Sequence, residues 1–242
     1  MPQDHVLLAA TDGRVYTVPM SRGILIAGSD STLINAVEAE TARRADHYAL
    51  ALIPSRAAGP GAETEAPFAK HFPARIPLDW NPPSAISART LVLAAENRLG
   101  RIDEAILVCD PRLARCAAAD LGLADIEAFV GDQVKGWFFL ARELTAAFRA
   151  RGEGTLALVY HESGGKDDAN DVLAQAAIAV FRSLTHSLLA AANNEPFATL
   201  GFSCGEVGDE AGFAAFIAKQ LEDGGRRGSG KLHKYGKQGF FK

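Results

Sequence analysis

Short unbroken apolar runs recur along this chain, separated by longer stretches of helical period. Ile24 to Gly28, Tyr48 to Ile53, Glu104 to Cys109, Thr155 to Tyr160 and Phe197 to Cys204 are each of strand length. Their continuity, without apolar/polar alternation, is the pattern of strands covered on both faces. Ala74 to Leu78 and Lys231 to Tyr235 read as two shorter strands. Between these runs lie predicted helices at Thr32–Arg44, from a Ser84 cap to about Gly100, at Asp125–Ala150, at Asn170–Ala192 and at Asp209–Leu221. In the third of them, Ile126, Val130, Val134, Trp137, Ala141, Leu144 and Phe148 recur at three- and four-residue steps. Strands alternating with helices predict an α/β fold: a doubly wound parallel sheet in three layers, α/β/α. In such sheets ligands bind beyond the carboxyl ends of the strands, where the strand order reverses. That places any site near Gly28, Cys109, Tyr160 and Cys204.

Two segments stand outside this alternation. Residues 1–20 read as an N-terminal β-hairpin extension, with His5–Ala9 and Arg14–Val18 flanking an Asp12-Gly13 turn. Residues 226–242 form a basic C-terminal tail with six Lys or Arg and no acid, which leaves residues 1–225 with a net charge of −10. Nucleic-acid-binding domains are basic over a whole face, so this distribution argues against that class. The tail is instead expected to dock on its own subunit or on a protein partner. Pro54 to Pro67 reads as a surface loop. With no interdomain linker, residues 1–242 are expected to form one domain.

Composition adds little. A hydrophobic share of 48% and a charged share of 22% suit a globular domain. The sequence shows no apolar run of spanning length and no signal-peptide pattern, so a cytoplasmic location and no membrane contact are expected. Cys109, Cys116 and Cys204 form no C-x-x-C pair, and no metal site is expected.

Five stretches carry a resemblance. Leu78-Asp79-Trp80-Asn81-Pro82 resembles the Asp-containing turn after a third strand. Leu99-Gly100-Arg101-Ile102-Asp103 resembles a G-[RK]-[IL]-D entry to a fourth. Val134-Lys135-Gly136-Trp137-Phe138 resembles N-x-K-G-x-F, Gln175-Ala176-Ala177-Ile178 resembles K-A-A-[LV], and Ser229-Gly230-Lys231-Leu232 resembles T-G-Q-x. In this order and at these intervals they resemble the short-chain dehydrogenase/reductase family over about Gly23 to Lys242. The resemblance implies a Rossmann-like sheet, an NAD(P) cofactor and a homodimer or homotetramer built on the two long helices and the C-terminal segment.

The functional positions depart from the family's pattern. Its Asn-Ser-Tyr-Lys set falls on Gln133, His161, Asp171 and Gln175. A phenol with a pKa of about 10 gives up its proton near neutrality only when a nearby cation stabilises the phenolate. Gln175 carries no such charge, and Asp171 is ionised at pH 7 with no proton to give. The family's T-G-x-x-x-G-x-G becomes Ala27-Gly28-Ser29-Asp30-Ser31-Thr32-Leu33-Ile34, in which only Gly28 survives. Asp30 or Ser31 is expected to cap the following helix, a structural use of its N-terminus. Gly28 and Asp79 remain the candidate cofactor contacts, and Arg56 a candidate for a 2′-phosphate.

The leading expectation is therefore a family-like protein that has lost dehydrogenase activity and acts as a structural or regulatory oligomer, without a cofactor. Two alternatives are an oxidoreductase with an atypical site and a nucleotide sensor without turnover. Either needs an open pocket to admit NAD(P), and the first would use a polar cluster of Tyr160, His161 and Asp171. On the helix from Asn170, the small side chains Ala176, Ala179, Ser183 and Ser187 form a stripe that serves either a subunit contact or the chain's own sheet. The Gly225–Leu232 segment fits G-x4-G-K but lies in the wrong context for a phosphate loop.

Overall fold

A computed structural model describes residues 5–9, 15–19, 22–54, 75–111, 117–162, 172–205, 208–223 and 228–236, the first two segments as backbone only. In chain order the strands and helices are β1 (His5–Ala9), β2 (Val15–Pro19), β3 (Ile24–Ser29), α1 (Thr32–Arg44), β4 (Tyr48–Ile53), β5 (Arg75–Leu78), α2 (Ala85–Leu99), β6 (Glu104–Cys109), α3 (Leu123–Phe129), α4 (Gly136–Arg151), β7 (Thr155–His161), α5 (Val172–Ala191), β8 (Ala198–Cys204), α6 (Glu210–Glu222) and β9 (Lys231–Tyr235). β1 and β2 pair antiparallel as a separate two-stranded sheet, His5 opposite Pro19. The other seven strands form one parallel sheet in the order β5-β4-β3-β6-β7-β8-β9. The order reverses between β3 and β6, so the Rossmann-like expectation holds and the switch point lies beside Gly28.

Alternating side chains divide the core between two faces. On one, Leu25, Leu107, Leu158 and Tyr160 pack with Trp137, Leu140 and Phe148 of α4 and Phe181 of α5. On the other, Ile26, Ile106, Val159 and Phe202 pack with Leu33, Ile34 and Val37 of α1 and Phe213 and Ile217 of α6. Every residue of β3, β6 and β8 is buried, which is why these strands read as unbroken apolar runs. Polar residues at the start of the sheet are paired. Glu104, buried at the head of β6, receives Arg44 Nη2 at 3.0 Å and Arg22 Nη1 at 3.1 Å, and Arg44 also reaches Glu222 at 3.3 Å.

The predicted helix Asp125–Ala150 differs in two ways. A π turn at Val130–Lys135 separates α3 from α4, and the N-terminal part lies outside the core, with Leu123 84% and Ile126 37% exposed. Ile126 therefore fits the periodic pattern without facing the sheet. A second correction concerns α5. Val172–Asn194 has the length and, at a mean hydropathy of 1.4, the composition to cross a membrane. Leu173, Ala177, Phe181, Leu184 and Thr185 bury one face of it, and Phe181 and Leu184 join the sheet core. It is thus placed as a core helix.

Candidate functional site

At the switch point only Asp30 and Ser31 separate β3 from α1. None of the residues in this turn adopts a positive φ. Ser31 is extended and its side chain accepts a hydrogen bond from Ile34 N at 3.3 Å, so it is Ser31 that caps α1, while Asp30 stays exposed. One amide that a phosphate would need at this helix N-terminus is thereby spent inside the chain. Ile34 is fully buried, and its Cδ1 lies against Gly28. A Cβ added to Gly28 would stand 2.6 Å from Val108 O and 2.8 Å from Ile34 Cδ1. Gly28 is thus required by its packing against β6 and Ile34. A bare backbone open to a diphosphate is what a dinucleotide needs here, and these residues do not fit one. Asp79, the other candidate contact, is exposed just past β5.

The turn after β5 closes over α4. Trp80 is buried, its ring 5.5 Å from that of Trp137, which in turn stands 5.0 Å from Phe181. Pro82 and Pro83 seat on two glycines of the π region. A Cβ at Gly136 would meet Pro82 Cβ at 2.5 Å, and one at Gly131 would meet Pro83 Cγ at 2.9 Å. The K-G-x-F resemblance thus marks a helix surface kept bare for a proline loop.

Of the four catalytic-equivalent positions, three are described. Gln133 is buried in the π turn, where its Oε1 accepts from Trp137 Nε1 at 3.4 Å. Gln175 is half-buried at the end of the first turn of α5. His161 is buried at the end of β7, its ring 6.0 Å from that of Phe213 of α6 and its Nδ1 without a partner. Asp171 lies outside the described residues, as does Arg56. The polar cluster of Tyr160 with His161 does not form. Tyr160 packs with Phe181 on the α5 face while His161 faces α6, because successive residues of a strand point to opposite sides. Burial raises the Tyr160 hydroxyl above its ordinary pKa, and the nearby Glu162 charge adds to this. It is therefore a poor acid/base group near neutrality.

Sequence reasoning missed the polar groups that do converge. Glu162 Oε1 accepts from Ser203 Oγ at 2.9 Å and pairs with Lys234 Nζ at 3.2 Å. On the opposite face Tyr235 donates to Asp209 Oδ2 at 2.6 Å, and Asp209 caps α6 through Gly212 N. No local spacing announces the meeting of Glu162 with Ser203 or of Tyr235 with Asp209, which lie 41 and 26 positions apart. Burial would raise the Glu162 carboxyl, but hydrogen bonds from Ser203 and Lys234 and the charges of Lys234 and Arg182 hold it below the ordinary range. Cys109 and Cys204 are buried, and burial followed by the Asp110 charge pushes the Cys109 thiol up. Cys116 is outside the described residues. Among the described residues no three His, Cys, Asp or Glu side chains are placed to hold a metal ion.

No protein-family model and no curated protein matches this chain. Solved structures do. A short-chain dehydrogenase of Mycobacterium smegmatis superposes with a TM-score of 0.69 at 15% identity, covering 90% of this chain and 93% of its own. An acetoin dehydrogenase of Salmonella typhimurium gives 0.70 at 15% identity over 89% and 95%. One from Enterobacter cloacae gives 0.68 at 12% identity over 89% and 94%. Over about 90% of its length, this chain is therefore built on the Rossmann-like fold of these short-chain dehydrogenases.

Proposed function

We propose that this protein has given up dehydrogenase chemistry and serves as a structural or regulatory homo-oligomer on that fold. The observation that carries the reading is the self-capped N-terminus of α1, with Ile34 seated on Gly28 where a diphosphate would have to approach. Gln133, His161 and Gln175 add to it, since none supplies a phenol or an ammonium at its position. No cofactor is needed for such a role. The alternative, an atypical NAD(P)-dependent oxidoreductase, draws on the dehydrogenase titles of the similar structures. Calorimetry with NAD(H) and NADP(H), followed by a hydride-transfer assay over a panel of ketones and aldehydes, separates the two. The proposal expects no binding heat up to millimolar nucleotide and no turnover, and stereospecific hydride transfer would overturn it. Binding without turnover would instead establish a nucleotide sensor.

Self-association draws on the outward side of the long helices. Ala179, Ser183 and Ser187 are exposed on α5 and Ala176 is half-buried, while Leu173, Ala177 and Phe181 take the side facing the sheet. The small-residue stripe thus leaves a surface on which a second helix can lie close. Phe138 of α4 is half-exposed as well. Ala179→Glu with Ser183→Glu is expected to convert a dimer or tetramer into a monomer by light scattering. A wild-type monomer would refute the assembly.

A further inference from the structure

Tyr160, Ser203 and Lys234 are successive partners across the parallel ladder, Tyr160 with Ser203 and Ser203 with Lys234. Residues in register on parallel strands project to one face, here the α5 side, where Tyr160 enters the core. Ser203 and Tyr160 are fully buried, whereas the Lys234 side chain is 66% exposed. Glu162, one residue beyond the end of β7, bends back over the same face. Its Oε1 meets Ser203 Oγ at 2.9 Å and Lys234 Nζ at 3.2 Å. The charge of Arg182 on α5 also acts on Glu162 and Tyr160. The Tyr160 hydroxyl lies beside Ser203 without a well-formed hydrogen bond.

This donor set matches a carboxylate: a buried hydroxyl, an ammonium and a second buried hydroxyl still unspent. Among the described residues, the cations Lys234 and Arg182 both act on the Glu162 carboxylate. The donors sit on the sheet and on α5, but Glu162 sits past the strand and its side chain is 37% exposed. If it swings away, the buried Ser203 hydroxyl loses its carboxylate acceptor, which disfavours an empty site. We propose that Tyr160, Ser203 and Lys234 form a binding site for a small carboxylate, which Glu162 occupies from within the chain. An external carboxylate enters as the Glu162 side chain turns out to solvent, with no change in the ladder. The inference is independent of whether dehydrogenase activity has been lost.

The test uses acetate, because Glu162→Ala removes one methylene and one carboxylate, the same groups acetate returns. Melting temperature is followed against sodium acetate and, at equal ionic strength, sodium chloride. Glu162→Ala should be stabilised by acetate in a saturable way. Half-saturation should come at a lower acetate concentration than for any wild-type response, since the tethered Glu162 competes for the same donors. Adding Ser203→Ala to Glu162→Ala should abolish the effect. Equal responses in wild type and variant, no acetate-specific response in a variant folded by circular dichroism, or survival of the response without Ser203 would each overturn the proposal. If Glu162→Ala does not fold, Glu162→Ser vacates the same place and is judged by the same outcomes.

Discussion

Replacing Gly28 with alanine decides whether that glycine serves packing or phosphate. The added Cβ would stand 2.6 Å from Val108 O, 2.8 Å from Ile34 Cδ1 and 3.2 Å from Val108 Cβ. The Ile34 methyl is the end of a side chain and can turn aside. Val108 O cannot easily do so, because β3 is held in register by β4 on one side and β6 on the other. Such overpacking costs about 1–3 kcal/mol. For a domain of this size each kcal/mol lowers the melting temperature by about 2–4 °C, so Gly28→Ala should melt about 4–8 °C below wild type at the middle of that range. The measurement is a thermal melt by circular dichroism without nucleotide. Ile34→Ala alone should cost about 2–4 kcal/mol from the lost buried side chain. The double variant should fall short of the sum by about 0.5 kcal/mol or more, because the Cβ–Cδ1 conflict is gone while the one with Val108 O remains. A Gly28→Ala protein melting within about 1 °C of wild type would refute the packing account.

Trp80→Ala should cost about 3–5 kcal/mol in urea denaturation, since a buried ring in edge contact with Trp137 is removed. A loss below about 1 kcal/mol would mean the loop after β5 does not close over α4. Glu104→Ala should cost about 3 kcal/mol, the lower end for breaking a buried pair, because Arg44 keeps Glu222 at 3.3 Å. Restoration of stability by adding Arg44→Met would support that origin, and no restoration would count against it. Glu162 also gives a pH dependence. Its folded carboxyl is held below the ordinary value of 4.5, so its contribution is present above that value and lost as pH falls through the lower folded one. Urea midpoints taken downward from about pH 6 should fall less steeply in Ser203→Ala than in wild type, and identical slopes would refute the linkage.

The strands and helices of this protein are local properties and could be read from the chain. Continuous apolar runs marked β3, β4, β6, β7 and β8, and Ser84, Ser31 and Asp209 marked helix starts that the structure bears out through side-chain caps. The loss of glycines at Thr32 and Ile34 was equally plain. What fills the space they leave was not, because the contact of Ile34 with Gly28 and Val108 spans two strands and a helix. The face on which Tyr160 and His161 lie, and the meeting of Glu162, Ser203 and Lys234, depend on inter-strand register across three strands. The π turn under Pro82 and Pro83 likewise depends on a loop some 50 residues earlier in the chain. Sequence by itself determined the elements and the departures from the family's motif residues, through periodicity and residue type. Tertiary structure alone decided which side chains pack around Gly28 and which polar groups converge, because those contacts are fixed by strand order and register between segments far apart in the chain.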